Sequence, residues 1–248
     1  MKSKTPARPI ANSNRRSSRL PTLALVLGVC SILVIHVDTT VIAFADSTKL
    51  RGDVGRMVDL SEAFAFGPAA VVIALGVFLC DQRNKWYTAR LFAYPIVAGV
   101  LANVAKLAIP RLRPRGLAEL TDFRGAMPSG WDTFALSNSD DTFRSLGDGS
   151  SSAWQSFPSG HAATAIGLAI GLSRLYPNAR WYFFGLALFA GLQRIFSNAH
   201  YPSDILAGGA VAMFTCWVLE RKSAFSLAIP ADSNVDTPAS LIRLPRAA

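Results

Sequence analysis

Cysteine is scarce in this chain. Only Cys30, Cys80 and Cys216 occur, each inside an apolar stretch and at spacings that form no CxxC pair. That excludes a disulfide framework and a structural zinc site. Charge is also short: Asp, Glu, Lys and Arg make up 17% of the residues, against about 25% in an ordinary soluble domain. With 51% hydrophobic residues and a mean hydropathy of +0.30, the composition calls for lipid as the solvent. Acidic residues are the scarcer sign, 16 against 25 basic ones. The resulting charge of +9 is no nucleic-acid footprint, because the Lys and Arg fall in short groups between apolar runs rather than along one helix or strand. There is no internal repeat, and 248 residues suggest one domain.

What the sequence has in abundance is apolar runs. Six stand out: Leu20 to Val37, Ala63 to Cys80, Leu91 to Ile109, His161 to Tyr176, Trp181 to Phe196 and Asp204 to Leu219. A helix needs about 20 residues to cross a hydrocarbon core, with roughly 17 as a lower bound. The first three qualify outright. The last three have 16 residues each, but carry the Gly and Ala that allow close helix packing and can borrow flanking residues. The expectation is an all-α fold, a six-span transmembrane bundle over residues 20–222 with a long outer loop between spans three and four. A basic tail (1–19) precedes it, and a polar, Pro-containing, disordered tail (223–248) follows. Basic residues before a long apolar run, then Ala43-Phe44-Ala45, imitate a cleavable signal, but the run is long enough to span and is expected to be retained.

Orientation follows from the basic residues. With the N-terminus inside, 15 of the 25 Lys and Arg lie in the inner segments, and the other 10 are spread over much longer outer loops. This places both termini in the cytoplasm of an inner-membrane protein. On the outer side, Ser47 to Leu60 carries apolar residues at helical spacing and reads as an interfacial helix weakened by Gly52 and Gly55. The stretch from Pro110 to Gly160 is 51 residues long, and its Ser, Gly and Asp content argues for flexibility. Its Phe123, Trp131, Phe134, Phe143 and Trp154 suit the headgroup region.

Charged residues beside spans are costly, so their placement is informative. Lys106 lies in the last turn of span three, with Arg113-Pro114 seven positions on. Pro158-Ser159-Gly160-His161 opens span four, Arg194 closes span five, and His200 and Asp204 precede or open span six. Spans three and five exit where four and six enter, so all of these residues face one compartment. Three cations around the N-terminus of a helix suit a phosphate-like anion. Gly160 allows close backbone approach, Ser159 supplies a hydroxyl donor, and Pro158 is tolerated in a first helical turn. The two histidines can act as acid, base or nucleophile, and a carboxylate four residues from His200 can fix its tautomer if the segment is helical. Taken singly, each feature has a plainer reading. A Lys or Arg at a span end snorkels, and a PSG tripeptide is a turn, as in Met127-Pro128-Ser129-Gly130. A His and an Asp four apart can ligate a metal, but three cations on the same face make that a poor site. Co-location is what favours the catalytic reading. His36 has no such company and reads as interfacial packing.

The ordered string Lys106-x6-Arg113-Pro114, Pro158-Ser159-Gly160-His161 and Arg194-x5-His200-x3-Asp204 resembles the three-part signature of the type 2 phosphatidic acid phosphatase superfamily, which comprises six-span lipid phosphatases and, distantly, soluble vanadium haloperoxidases. The resemblance implies His200 as the nucleophile that forms a phosphohistidine, Asp204 as the group that orients it and His161 as the acid for the leaving oxygen. It implies Lys106, Arg113, Arg194, Ser159 and the Gly160 amide as the phosphate-binding set, with no metal and no cofactor. Gln193 departs from the pattern, which usually has Ser before the Arg; the amide can still donate a hydrogen bond. The implied activity is hydrolysis of a lipid phosphate or diphosphate at the outer, periplasmic face. Membrane lipids would be the only other partners, with no nucleic acid and no obligate protein partner. The alternatives are a phosphotransferase that passes the group to a lipid acceptor and a non-catalytic phospholipid-binding or transport protein.

Overall fold

The computed structural model describes residues 19–48, 50, 52–81, 92–135 and 152–221. Residues 1–18 of the expected N-terminal tail, the whole C-terminal tail, the connection carrying Arg83, Lys85 and Arg90, and Phe143 lie outside the described residues.

Regular structure among the described residues is helical. Leu20–Val34 (α1) runs through a 3-10 turn, Ile35–Val37, into Asp38–Thr48 (α2). The shorter helices Gly52–Leu60 (α3) and Glu62–Ala65 (α4) precede Gly67–Cys80 (α5). Ala93–Ala108 (α6) leads to Leu117–Arg124 (α7). Gly160–Leu175 (α8), Arg180–Phe196 (α9) and Pro202–Arg221 (α10) complete the order. A helix stands at each of the six apolar runs. Two are long and apolar enough to cross a membrane, the continuous Leu20–Thr48 run and α10. The segments Gly52–Ala65 and Gly67–Cys80 pass that test only together, across a 76° bend. Large apolar side chains such as Leu25, Leu33, Val72, Val104 and Leu188 stay exposed on the outside of the bundle. Surface of this kind belongs against lipid, and the protein is a membrane protein.

The bundle is built around α8. Its sequence is rich in Gly and Ala, and eleven of its sixteen residues are buried. Small residues let neighbouring backbones approach, which is how helices associate where no hydrophobic driving force exists between them. Around it lie α6, α9 and α10, while α1 runs along α10. Phe64 and Ala65 of α4 pack into a cluster with Ala165 and Leu168 of α8 and Ala187 and Ala190 of α9. The bend that follows falls at Phe66, whose extended backbone ends α4 and caps α5, with Pro68 in the first turn of α5.

One expectation about the connecting segments needs correction. The interfacial helix is not continuous over Ser47 to Leu60: α2 extends to Thr48, and α3 starts afresh at Gly52, whose φ of +66° no other residue adopts easily. In the stretch after Pro110, residues 136–151 lie outside the described residues. Its described parts hold α7 and a 3-10 turn, Gly130–Thr133, closed by a capping box between Ser129 and Asp132. Isolated bridges tie Arg111 to Phe134 and to Gln155. Arg111 thus ties together the described residues on either side of 136–151, and the Ser-, Gly- and Asp-rich part of the stretch lies outside the described residues. Phe134 is buried here rather than at the headgroups. Trp131 donates its indole N–H to His36 Nε2 at 3.4 Å, the packing role expected of that histidine.

α10 meets the start of α8 at Gly208, where a side chain would collide with the Ser159 carbonyl and approach the Ala162 methyl to 3.1 Å. A methyl here must push the two helices apart. Gly208→Ala is therefore expected to cost about 1 to 3 kcal/mol, as overpacking does, and to lower the apparent Tm in detergent. The control is Gly28→Ala on α1, where nothing lies within 4 Å; it is expected to leave Tm unchanged or slightly raised.

Candidate active site

One end of the bundle, where α6 and α9 finish and α8 and α10 start, brings together every candidate catalytic and phosphate-binding residue singled out in the sequence. Lys106, 8% exposed, sits in the last turn of α6. Its ammonium lies 3.6 Å from where a Cβ on Gly160 would be, and Asn103 Oδ1 only 2.8 Å from that point. Glycine is thus what lets α6 close on the first turn of α8. Ser159 is the N-cap of α8 and accepts the Ala162 amide proton on its hydroxyl at 3.3 Å, leaving the O–H free to donate outward. Pro158 lies before that cap, not in the first helical turn. Arg113 follows α6, its backbone paired with Ala153 O at 2.8 Å, and its buried Nε finds no hydrogen-bond partner among the described residues. Burial and the neighbouring Arg115 hold this guanidinium below its ordinary pKa, though it stays protonated. A buried, unpaired N–H beside a helix start is a donor still to be satisfied, and an anionic oxygen is its natural partner.

His161, the second residue of α8, has its Nε2 3.3 Å from Arg194 Nη1. Arg194, in the last turn of α9, is gripped at all three nitrogens. Nε donates to Gln193 Oε1 at 2.6 Å, Nη2 reaches Glu62 Oε1 at 2.7 Å, and Nη1 faces His161. The Gln193 departure thus contributes an acceptor to Arg194, while its amide nitrogen reaches toward Asp59 at 3.5 Å and Glu62 at 3.4 Å. The chain then turns through Asn198 at φ +52°, a conformation that Asn tolerates better than most residues, with its side chain on Asp46 at 2.8 Å. This turn delivers His200, 1% exposed, with its ring 6.4 Å from that of His161.

The pairing of His200 with Asp204 is real but not of the helical kind. α10 begins at Pro202, so His200 lies before the helix and Asp204 in its first turn. The Asp204 carboxylate folds back to accept the Tyr201 amide proton at 2.9 Å, the reach of an acidic residue in a capping box. This brings Oδ2 to 3.5 Å from His200 Nδ1, longer than a well-formed hydrogen bond. Burial pushes the His200 imidazole below its ordinary pKa; Asp204 opposes that shift, and Lys106 and Arg113 add to it. Burial thus favours the uncharged ring, and its Nδ1 side is turned to the Asp204 carboxylate.

One residue that the sequence reading passed over holds this arrangement. Arg111 is wholly buried. Its Nη1 contacts Asp204 at 2.5 Å and Ser203 Oγ at 2.7 Å, its Nη2 contacts Asp38 at 2.7 Å, and its Nε donates to Thr133 Oγ1 at 2.8 Å. The guanidinium is stacked between the rings of Tyr201 and Phe134, 4.1 and 4.5 Å from their centroids. Ser203 also donates from its hydroxyl to Asp38, and Ser156 donates to Asp204 at 2.6 Å. A signal for this cluster was present: Asp38 is an acid within a helical apolar run, a placement that demands a partner.

Comparisons with known proteins were made on this footing. A family model described as the PAP2 superfamily matches residues 87–225. The chain is 34% identical over 133 residues to the lipid A 1-phosphatase of Rhizobium johnstonii, covering 54% of this chain and 45% of that protein. It is 32% identical over 166 residues to the lipid A 1-phosphatase of Rhizobium etli, covering 58% and 61%. A lipid A 4'-phosphatase of Bacteroides thetaiotaomicron matches at 38% over 65 residues, 25% of this chain and 28% of that one. The chain spans about half the length of the two rhizobial relatives. No solved structure matches.

Two outcomes are expected from the electrostatics. Arg111→Met strands two buried carboxylates and should cost about 3 to 5 kcal/mol, the penalty for breaking a buried pair. Arg111→Lys should rescue little, because an ammonium cannot fork between both acids; thermal unfolding in detergent reads both. Secondly, a folded-state pKa below the ordinary 6.5 means that unfolded His200 takes up a proton first as pH falls. Its contribution to stability is complete above about pH 6.5 and is lost progressively below it. The Tm of the wild type should therefore drop more between pH 7 and pH 5 than that of His200→Gln.

Proposed function

The chain belongs to the PAP2 superfamily, and on that premise we propose that it is an integral-membrane phosphatase that removes phosphate from a lipid through a phosphohistidine on His200. The observation that carries this reading is the buried imidazole of His200, backed by Asp204 and facing His161 across a space edged by Lys106, Arg113 and Arg194. Among lipid substrates, the names of the relatives favour a phosphorylated glycolipid of the lipid A type.

The chemistry runs as follows. A phosphoryl group docks on the three cations, the Ser159 hydroxyl and the Gly160 amide, with the dipole of α8 adding to the field. His200 Nε2 attacks phosphorus, forming a P–N bond while the P–O bond to the lipid breaks. The leaving oxygen takes a proton from His161, and Asp204 stabilises the positive imidazole. Water then attacks the phosphohistidine, giving its proton to His161, and inorganic phosphate departs with His200 restored. The cations meet the charge of the transition state, so no metal is required.

Six passes, with both termini cytoplasmic and this site on the outer face of the inner membrane, fit the reading. Such a placement would put the site at headgroup depth, and a cavity of about 390 Å³ opens between α1, α8, α9 and α10. Its lining of residues such as Leu27, Val34, Ile166, Leu192 and Ile205 is apolar and suits an acyl chain. Such a groove beside a phosphate site favours a lipid over a soluble ester.

The test is phosphate release from a panel of lipid phosphates by the detergent-purified protein in excess EDTA. Release from a lipid A-type phosphate is expected, unaffected by the chelator and abolished in His200→Ala with the fold retained. Lys106→Met and Arg194→Met should each lower kcat/KM by about 10²- to 10³-fold, the scale for losing a transition-state anion contact. Loss of activity in EDTA, restored by added metal, would replace this mechanism, and release that requires an acceptor lipid would make the protein a transferase.

A further inference from the structure

The site holds a carboxylate that the reaction does not call for. Glu62 Oε1 lies 2.7 Å from Arg194 Nη2 and 3.9 Å from His161 Nε2. Its side chain is 40% exposed, against 10% for Arg194 and 30% for His161. It therefore sits at the mouth of the site while the guanidinium lies deeper. Nor is its position accidental. Two and three residues on, Phe64 and Ala65 are sunk between α8 and α9, and the Gln193 amide reaches its second oxygen. The short helix is pinned, and the acid is held over the site.

We propose that Glu62 determines which leaving groups the site accepts, favouring neutral, hydroxyl-bearing alcohols over phosphates; this rests on the phosphatase reading above. His161 is the group that meets the leaving oxygen, so a carboxylate beside His161 lies where the leaving group emerges. For a phosphate monoester on a sugar or a glycerol, that group is a neutral alcohol whose other hydroxyls can donate to Glu62. For a lipid diphosphate, the same cleavage expels a lipid monophosphate that already carries negative charge. A fixed anion at the mouth repels it. Glu62 discriminates mainly by what it rejects, as specificity elements often do.

The experiment compares kcat/KM for a glycolipid monophosphate and a polyprenyl diphosphate in the wild type, Glu62→Gln, Glu62→Asp and His200→Ala. The wild type is expected to favour the monoester. Glu62→Gln should raise the relative rate on the diphosphate by about tenfold or more, a conservative figure for one like-charge contact, and Glu62→Asp should keep most of the preference. An unchanged ratio in Glu62→Gln, or an equal loss on both substrates, would overturn the proposal and leave Glu62 as a brace for Arg194. A second measurement does not depend on turnover. In the His200→Ala background, Glu62→Gln should tighten pyrophosphate relative to orthophosphate, also by about tenfold, as read by competition or thermal shift. No change in that ratio overturns the assignment of Glu62 whatever the reaction proves to be. Wild-type phosphate release no faster than that of His200→Ala on any lipid would instead refute the phosphatase reading.

Discussion

The buried contact between Arg111 and its two acids, Asp38 and Asp204, is the constraint on which the rest of the site depends. A guanidinium with no solvent access must have every N–H met, and here it is met by residues from three separated parts of the chain: Asp38 at the start of α2, Thr133 from the segment after Pro110, and Ser203 and Asp204 from α10. One forked cation thereby fixes where the outer segment lies over the bundle and where α10 begins. It also leaves Asp204 without freedom: with Arg111, Ser156 and the Tyr201 amide on its oxygens, the carboxylate has one orientation in which to face His200. A buried pair of this kind contributes little net stability over an apolar replacement, yet removing one partner is expensive. Its value here lies in position.

From that anchor the electrostatics divide cleanly. Arg111 has its charge matched by two carboxylates and is not available to a ligand. Lys106 and Arg113 have no acid paired with them at salt-bridge distance among the described residues, and Arg113 keeps a buried donor unsatisfied. Arg194 lies between these cases, held by Gln193 and Glu62 yet at the edge of the site. Unmatched cations beside the open start of α8 create a field that only an anion can balance. The same field, together with burial, pushes the His200 imidazole below its ordinary pKa, which suits the nucleophile role proposed for it.

Much of this could be read from the sequence, and the reason is physical. Hydropathy locates helices well in a chain that must satisfy its backbone inside lipid, and each of the six apolar runs is helical. Co-location was legible too, because alternate spans deliver their ends to one side, so Lys106, His161, Arg194 and Asp204 had to meet. What could not be read was how each residue is held. The spacing of His200 and Asp204 suggests a helical pair, whereas the observed geometry is a helix start with Asp204 folding back. Arg111, one residue inside the outer segment, looked like any other basic residue of a loop, and its partners Asp38 and Ser203 are 73 and 92 positions away. Nor could local composition show that Arg111 would pair with both Phe134 and Gln155, because those contacts join points far apart in the chain. Glu62 escaped notice because its contacts with His161, Gln193 and Arg194 join residues about a hundred or more positions apart.

The central claim is that phosphorus is transferred to the His200 imidazole before water releases it. The most direct measurement is to mix the purified protein with a labelled lipid phosphate, quench in alkali, where phosphohistidine survives, and map the label by mass spectrometry. The account predicts a phosphoryl group on His200, formed within one turnover and discharged when the reaction is allowed to continue. Phosphate release at full rate with no label on His200, or label on another residue, would contradict it and point to direct attack by water or a different nucleophile.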